Sequence, residues 1–417
     1  MANVFASDTQ KQFYMDGLQD NLRDSLPMLQ VSEVETENAE YIVNRYGADV
    51  AAQSTKNSLY RRATGFSYSR DKKSIDEIAT VSDVILYQEL MREGFDLVAD
   101  RQDKHAYALR QAIHRHSVDT GVTGASSVLD NEVLAGSPSA GTPITLSSSN
   151  PDDVAATIVQ ILQEENAYGE SNPFVMMTPK QAKNFNLFSQ GAGFSVADRA
   201  LTNSIFTVAG GTRVIRGAQG FGGLDVIVTN EMPRTAILTL SGASTAADTV
   251  TINGVVLTAN ATPSTAGQFD VAGSTEAQVD ILVAAINNSS YYLAGAGAAS
   301  DYFEISQANR TIWETAGIRA RKLSTTTLEV TSFTTLTVAE SGTVTSWGSV
   351  IEHMLAGAYN AVTVALPSKG MRSDEKPLAA AVGGTGTHGF ELTTFQMHDT
   401  VVWTYNAPKL VDVLTTA

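Results

Sequence analysis

The sequence predicts an α+β protein of two or three packed units, and three observations carry that expectation. Between residues 150 and 235, helices with readable caps alternate with short apolar runs of strand character. From 236 to 350 the chain turns Thr- and Ser-rich with the period-two texture of strands. At 417 residues, 43% hydrophobic and 17% charged, it is long enough to bury more than one core and too apolar to stay disordered.

The first 30 residues open on a helix, with Ser7 as N-cap and Gln10 completing a capping box. Leu18, Leu22 and Leu26 recur every four residues, so this helix carries an apolar stripe that needs a partner, and Pro27 ends it. Residues 31–53 are acidic and then mixed without strong period, which reads as an extended arm. "SIDEIATVSDVILYQELM" (74–91) begins as a strand, and residues 96–118 read as one long helix. Its buried face is Val98, Ala106, Leu109 and Ile113, His114, Arg115 and His116 stand toward its C-terminal end, and Gly121 stops it. Residues 121–149 form a loop or hairpin.

Asn150, Pro151, Asp152 and Asp153 announce the next helix, with Val154, Ile158, Ile161 and Leu162 inward. "PFVMMTP" is a buried strand, and Thr178, Pro179 and Gln181 start a short helix running through Phe188. "TRVIRG" and "LDVIVTN" are two strands joined by a Gly-rich turn. In 236–350, "DTVTINGVVLTA" is a hairpin about Asn253-Gly254, and Ser274 caps a helix with Val279, Leu282 and Ile286 inward. "YFEIS", "TTLEVTSF" and "TTLTVAE" supply further strands. After "AVTVALP" come a mobile-looking "SKGMRSDEKP", a Gly-rich "GGTGTHG" and three terminal strands from Phe390 to Leu414.

The formal charge of -16, from 28 Lys+Arg against 44 Asp+Glu, argues against a chain that neutralises phosphates over its whole surface. The absence of cysteine removes disulfides, thiolate metal sites and cysteine nucleophiles. No apolar run reaches about 18 residues, and the start lacks a signal-peptide pattern, so a soluble protein made in a cytoplasm is expected.

Candidate chemistry is thin. No G-x-S-x-G turn presents a serine. His114 and His116 are two apart on a helix, about 200° around its axis, so they do not share an ion. Gly384, Gly386 and Gly389 spell G-x-G-x-x-G, but an alternating strand follows where a pyrophosphate site needs a helix. Glu164 and Glu165 are adjacent and face apart. Asn260-Ala261-Thr262 is a chance glycosylation match, and Trp313, Trp347 and Trp403 suit core or interface anchors. No enzyme, cofactor or metal is expected.

One segment stands out. "STKNSLYRRATGFSYSRDKK" (54–73) holds Lys56, Arg61, Arg62, Arg70, Lys72 and Lys73 against one acid, Asp71, and interleaves Tyr60, Phe66 and Tyr68. Cations alternating with rings suit a single-stranded nucleic-acid groove. They equally suit an extended arm resting on the acidic surface of a second copy.

The order of elements, with the stretch from "FVMMTP" to "VTNEMP" contributing most, resembles the major capsid proteins of tailed bacteriophages with the Hong Kong 97-like fold. The resemblance implies an N-terminal helix and arm (1–53), an extended loop (54–80), a peripheral domain with a spine helix (81–149) and an axial domain (150–235). A small β-rich α+β insertion domain (236–350) follows, and 351–417 completes the axial domain and returns strands to the peripheral domain.

The resemblance further implies a homo-oligomer of hexamers and pentamers in an icosahedral shell around double-stranded phage DNA, contacted only non-specifically. It would lie in the virion, assembled in the bacterial host cytoplasm, with portal and scaffold or cement proteins as partners and no membrane. With the chain read from Met1, any scaffold is expected to be a separate protein. Under the resemblance Lys56, Tyr60, Arg61, Arg62, Phe66, Tyr68, Arg70, Lys72 and Lys73 make inter-subunit contacts through the extended loop, and Leu18, Leu22 and Leu26 make them through the N-arm. The alternatives are a tail-tube or adhesin-like decoration subunit, drawing on the Thr-rich 236–350, and a nucleic-acid-binding module resting on 54–73 alone.

Overall fold

The computed structural model describes residues 27–35, 40–46, 68–75, 77–86, 95–147, 149–165, 167, 173–191, 213–215, 224–271, 273–287, 302–342, 344–367, 371–377 and 389–416. It is a mixture of several sheets and few helices. In chain order the first elements are β1 (Glu33–Glu35), β2 (Glu40–Tyr46), β3 (Tyr68–Ser74), β4 (Glu77–Leu86), α1 (Phe95–Gly124), β5 (Ser127–Leu129) and α2 (Asn131–Leu134). There follow α3 (Pro151–Glu164), β6 (Phe174–Met177), α4 (Pro179–Gly191), β7 (Arg213–Ile215), β8 (Asp225–Val228) and β9 (Arg234–Leu240). Next come β10 (Thr249–Ile252), β11 (Val255–Asn260), β12 (Gln268–Asp270), α5 (Thr275–Asn287), α6 (Gln307–Ala316), β13 (Arg319–Lys322), β14 (Thr327–Ser332), β15 (Val338–Ser341) and β16 (Thr345–Trp347). The last are β17 (Ile351–Gly357), β18 (Thr363–Ala365), β19 (Met371–Pro377), β20 (Gly389–Val401) and β21 (Leu410–Thr416).

Among the described residues the chain divides into two compact units, one of 34–109 and 363–401, the other of 27–33, 110–362 and 402–416. In the first unit β20 is the central strand. It pairs antiparallel with β4 over ten positions, from Gly389 opposite Leu86 to His398 opposite Glu77, and with β19 over seven. The N-terminal half of α1 lies on one face of this sheet, Arg101 reaching Asp83 of β4 and His105 reaching Thr394 of β20, and its Ala106 and Leu109 are fully buried.

The second unit is built on a ten-stranded sheet of order β13-β14-β9-β17-β6-β8-β7, with β21 and β5 continuing from β17 and β16 pairing with β9. Its apolar interior falls into two clusters. In one, Val154, Ile158 and Leu162 of α3 pack on β6, β17 and β21. In the other, Val279, Leu282 and Ile286 of α5 and Trp313 of α6 pack on β9, β14 and a separate four-stranded sheet, β12-β11-β10-β15.

Several local signals act as expected. Thr178 and Gln181 form a capping box, Gln181 Oε1 accepting from Thr178 N (2.8 Å) and Thr178 Oγ1 from Gln181 N (3.3 Å). Asn253 and Gly254 take φ of 49° and 79°, which gives the hairpin between β10 and β11 the twist that suits paired strands. Ser274 Oγ accepts from Ala277 N (3.3 Å) to cap α5. Trp313 is a core anchor whose Nε1 donates to Ile252 O (3.1 Å). Trp403 is buried too, and Trp347 is half-buried.

Other expectations are corrected. Gly121 does not stop α1, which runs to Gly124. A Cβ on Gly121 would lie 2.7 Å from Leu355 Cδ2, and one on Gly124 2.7 Å from Val402 Cβ, so these glycines permit close packing. His114, Arg115 and His116 are therefore well inside the helix, and His114 and Arg115 are buried. Asn150 precedes α3, but its side chain accepts from Ser147 N (3.0 Å) and does not cap.

Within "SKGMRSDEKP", Met371–Pro377 is a strand paired along its full length with β20; its charged composition, the kind that guards an edge strand against the wrong partner, hides its strand character in the sequence. The expected three terminal strands are two, since β20 runs 13 residues without a break. In "YFEIS" only Tyr302 pairs, with Phe269, and Ser306 caps a helix the sequence pattern had not announced. The N-terminal helix with Leu18, Leu22 and Leu26, Val98's side chain, Gly384 and Gly386 lie outside the described residues.

One edge of the large sheet is finished by a side chain. Asn287, the last residue of α5, donates Nδ2–H to Ala320 O (2.6 Å) and accepts from Ala320 N (2.7 Å) through Oδ1. Ala320 is on β13, the end strand of that sheet among the described residues.

Candidate assembly surfaces

Of the nine contact residues expected in the extended loop, Tyr68, Arg70, Lys72 and Lys73 fall on β3. Lys56, Tyr60, Arg61, Arg62 and Phe66 lie outside the described residues, as do Leu18, Leu22 and Leu26. β3 is antiparallel to β2, with Tyr68 opposite Tyr46, Arg70 opposite Asn44, Lys72 opposite Ile42 and Lys73 opposite Tyr41. The basic segment therefore ends as one strand of a ribbon whose other strand comes from 40–46 of the preceding arm. Among the described residues this two-stranded sheet pairs with no third strand. A seven-residue strand spans about 23 Å. A lone ribbon of that size is marginal in water unless something covers it.

The sheet of β4, β20 and β19 has two different faces. Toward α1, Ala79, Leu392, Thr394, Gln396 and His398 are buried. Arg101 of α1 forms an ion pair with Asp83 of β4, and His105 Nδ1 lies 3.2 Å from Thr394 Oγ1. Burial lowers the pKa of His105, with Asp83 opposing and Arg101 adding to the shift, so this ring is neutral at neutral pH.

The opposite face is open. Ile78 is 56% exposed and Val84 46% exposed, with Thr80 and Ser82 exposed between them. The register sets Met397 opposite Ile78, Phe395 opposite Thr80, Thr393 opposite Ser82 and Glu391 opposite Val84. Ser82 Oγ donates to Glu391 Oε1 (2.6 Å) and lies 3.2 Å from Thr393 Oγ1. On β19, Arg372 Nε donates to Asp374 Oδ1 (3.0 Å). Ile78, Val84, Phe395 and Met397 thus place apolar area beside carboxylates on one sheet face, the composition that marks a surface for a partner.

The remaining candidates have structural surroundings. His114 is 3% exposed, its Nε2 lies 3.4 Å from Thr229 Oγ1, and burial together with the Arg115 charge lowers its pKa to about 3. Among the described residues no three His, Cys, Asp or Glu side chains are placed to hold a metal ion. Glu164 and Glu165 are exposed, Glu164 accepting from Gln160 Nε2, and Asn260 Oδ1 accepts from Thr262 N in a turn. No helix among the described residues is long and apolar enough to cross a membrane.

Sequence reasoning missed the role of Arg115. Its Nε reaches Glu231 Oε2 at 2.6 Å, its Nη2 donates to Thr315 O (3.0 Å), and its Cζ lies 5.6 Å from the centre of the Phe333 ring. The guanidinium thereby caps the C-terminal end of α6, where a cation is favoured. An arginine in a helix gives no sequence signal of such a task.

No family model matches the chain, and no curated protein does. Solved structures do. The chain is similar to the capsid of the cyanophage P-SCSP1u at 10% identity, covering 93% of this chain and 86% of that one, with a TM-score of 0.41. It is similar to the mature capsid of bacteriophage PhiM1 at 10% identity, over 93% and 86%, TM-score 0.41. The virus-like particle from Pyrococcus furiosus matches at 9% identity over 96% of this chain and 97% of that one, TM-score 0.41. These structural neighbours are phage capsids and a virus-like particle, matched at identities near one tenth and TM-scores below 0.5.

Proposed function

We propose that this chain is a shell subunit: a major capsid protein that tiles with copies of itself into hexamers and pentamers around double-stranded DNA. The observation that carries the reading is the ribbon of β2 and β3. It is a seven-position pair, basic along β3, that pairs with no third strand among the described residues. Such a ribbon gains little in water by itself and much when laid on a second surface. The chain also carries the matching surface type, the open face with Ile78, Val84, Phe395 and Met397 beside Glu391. In this reading the basic residues of 54–73 face carboxylates on a neighbouring copy, and Tyr60, Phe66 and Tyr68 supply contact area.

The remaining assignments belong to the same reading. Residues 54–80 are the extended loop, 81–149 the peripheral domain, 150–235 with 351–417 the axial domain and its return strands, and 236–350 an insertion domain in a Hong Kong 97-like architecture. The net charge of -16 suits a container that must let nucleic acid go. The subunit resides in the virion after assembly in a bacterial cytoplasm, with portal and scaffold or cement proteins as partners, and it catalyses nothing.

Electron microscopy and sedimentation velocity of the purified full chain test this. The expected result is megadalton particles, or hexamers and pentamers. Arg61→Glu with Arg62→Glu, and separately Ile78→Ser with Val84→Ser, should leave a folded, soluble chain that builds no shell. A compact monomer at high concentration, or unchanged particles from both variants, overturns the proposal.

A further inference from the structure

The large sheet of the second unit is nearly interrupted at one place. β9 and β17 pair at only two positions, Thr235 opposite Ile351 and Arg234 opposite Glu352. On one side of this joint lies the apolar cluster built on α5 and α6, on the other the cluster built on α3, and the two share no buried residue. What occupies the joint is polar. Arg234 Nε reaches Glu352 Oε1 at 2.8 Å, and its Nη1 donates to Thr334 O (2.7 Å). His353 lies between Asp412 and Thr235, with Nδ1 at 2.9 and 3.0 Å from the two Asp412 oxygens and Nε2 at 2.8 Å from Thr235 Oγ1. All three residues are buried.

The charged neighbours of His353 come from every element packed around it. Asp412 is on β21, Glu329 on β14, Asp119 on α1, and Glu352 and Arg234 flank the joint itself. Arg319, Arg321 and His116 compensate Asp119, and Arg321 Nε pairs with Glu329 at 2.7 Å. Arg234 serves Glu352. Among these groups the one that touches Asp412 and can carry a positive charge is His353.

The geometry points to a titratable clasp: with His353 charged, the segment 234–350 is held to β17 and β21, and with His353 neutral this joint opens while the apolar clusters on either side stay folded. A neutral ring keeps both hydrogen bonds but leaves Asp412 a buried carboxylate without its cation, and an uncompensated buried charge is what such a site tolerates least. Burial works against the charge on His353, but Asp412, then Glu329 and Asp119, outweigh it and hold the pKa above the ordinary histidine value. The clasp is therefore closed below the ordinary histidine range and releases as pH rises through the raised value. This inference does not depend on whether the chain tiles a shell.

Amide hydrogen exchange of the full chain from pH 5.5 to 9, corrected for intrinsic exchange, reads the joint directly. Protection at the joint itself, 234–235 and 351–353, should fall about tenfold per pH unit as pH rises from about 6.5 toward the raised folded-state value of His353 and level off beyond it, while 174–177 and 250–259 keep theirs. His353→Gln should leave the joint open at every pH. Thr235→Val, which removes only the hydroxyl that the charged ring donates to, should move the midpoint to lower pH, and it decides the matter if the glutamine variant does not fold. Protection at the joint that does not change with pH in the wild-type chain, or a Thr235→Val midpoint that does not move, overturns the inference.

Discussion

His114 offers the sharpest test of how this fold is balanced. The ring is fully enclosed in the middle of α1, with Arg115 as its neighbour, and its pKa is lowered to about 3 from an ordinary 6.5. A histidine depressed in this way binds fewer protons folded than unfolded. Its contribution to stability is complete above pH 6.5 and is lost as pH falls from there toward 3. At 1.36 kcal/mol per unit, the full loss is about 5 kcal/mol, and about 3 kcal/mol of it has gone by pH 4.5.

His114→Gln preserves a polar group near Thr229 Oγ1 and removes the titration. Urea unfolding of wild type and variant at pH 7.5 and 4.5 then isolates the histidine, because every carboxylate titrates alike in both proteins. Wild type should lose about 3 kcal/mol relative to the variant on acidification. A difference that is the same at both pH values would refute the reasoning, since it would mean the ring takes up its proton without cost.

Two further substitutions follow from the packing. Gly357 ends β17 where a Cβ would meet Lys409 O at 2.7 Å, a backbone atom that cannot rotate aside, so Gly357→Ala should destabilise by about 1–3 kcal/mol in the same unfolding assay. Asp130 is wholly buried, and its carboxylate accepts from Val133 N, Ser139 Oγ, Ala140 N and Gly141 N. Burial pushes its pKa up, but those hydrogen bonds outweigh it and hold the group below the usual carboxylate value. The stability it confers is present above pH 3.8 and lost as pH falls through the folded-state value. Asp130→Asn should cost about 1–3 kcal/mol near neutrality, and this cost should shrink on acidification, as followed by unfolding at pH 7 and pH 3.

What could be read from the sequence was local chemistry. Asn253-Gly254, Thr178-Pro179 with Gln181, and Ser274 each specify a turn or a helix start through contacts within a few residues, and each acts as the pattern says. Pairings across hundreds of residues leave no such mark. β4 finds β20 some three hundred positions later, and the partner of β3 is the stretch 40–46, because register at that range is set by the assembled fold. Polar groups misled most. Arg115, His114 and His353 look like surface residues by composition, yet each is enclosed; for Arg115 and His353 a satisfied hydrogen bond or ion pair removes the reason for a polar group to stay wet. For the candidate surface, the basic and aromatic pattern ends in the strand β3, and the open face of β4 and β20 became visible only once alternate residues were assigned to sides of a sheet.

The amide of Asn287 gives a large open sheet a finished border. By occupying both backbone groups of Ala320, it denies a stranger's strand the place where growth would begin. That small plug turns aside the runaway stacking that leads to fibres.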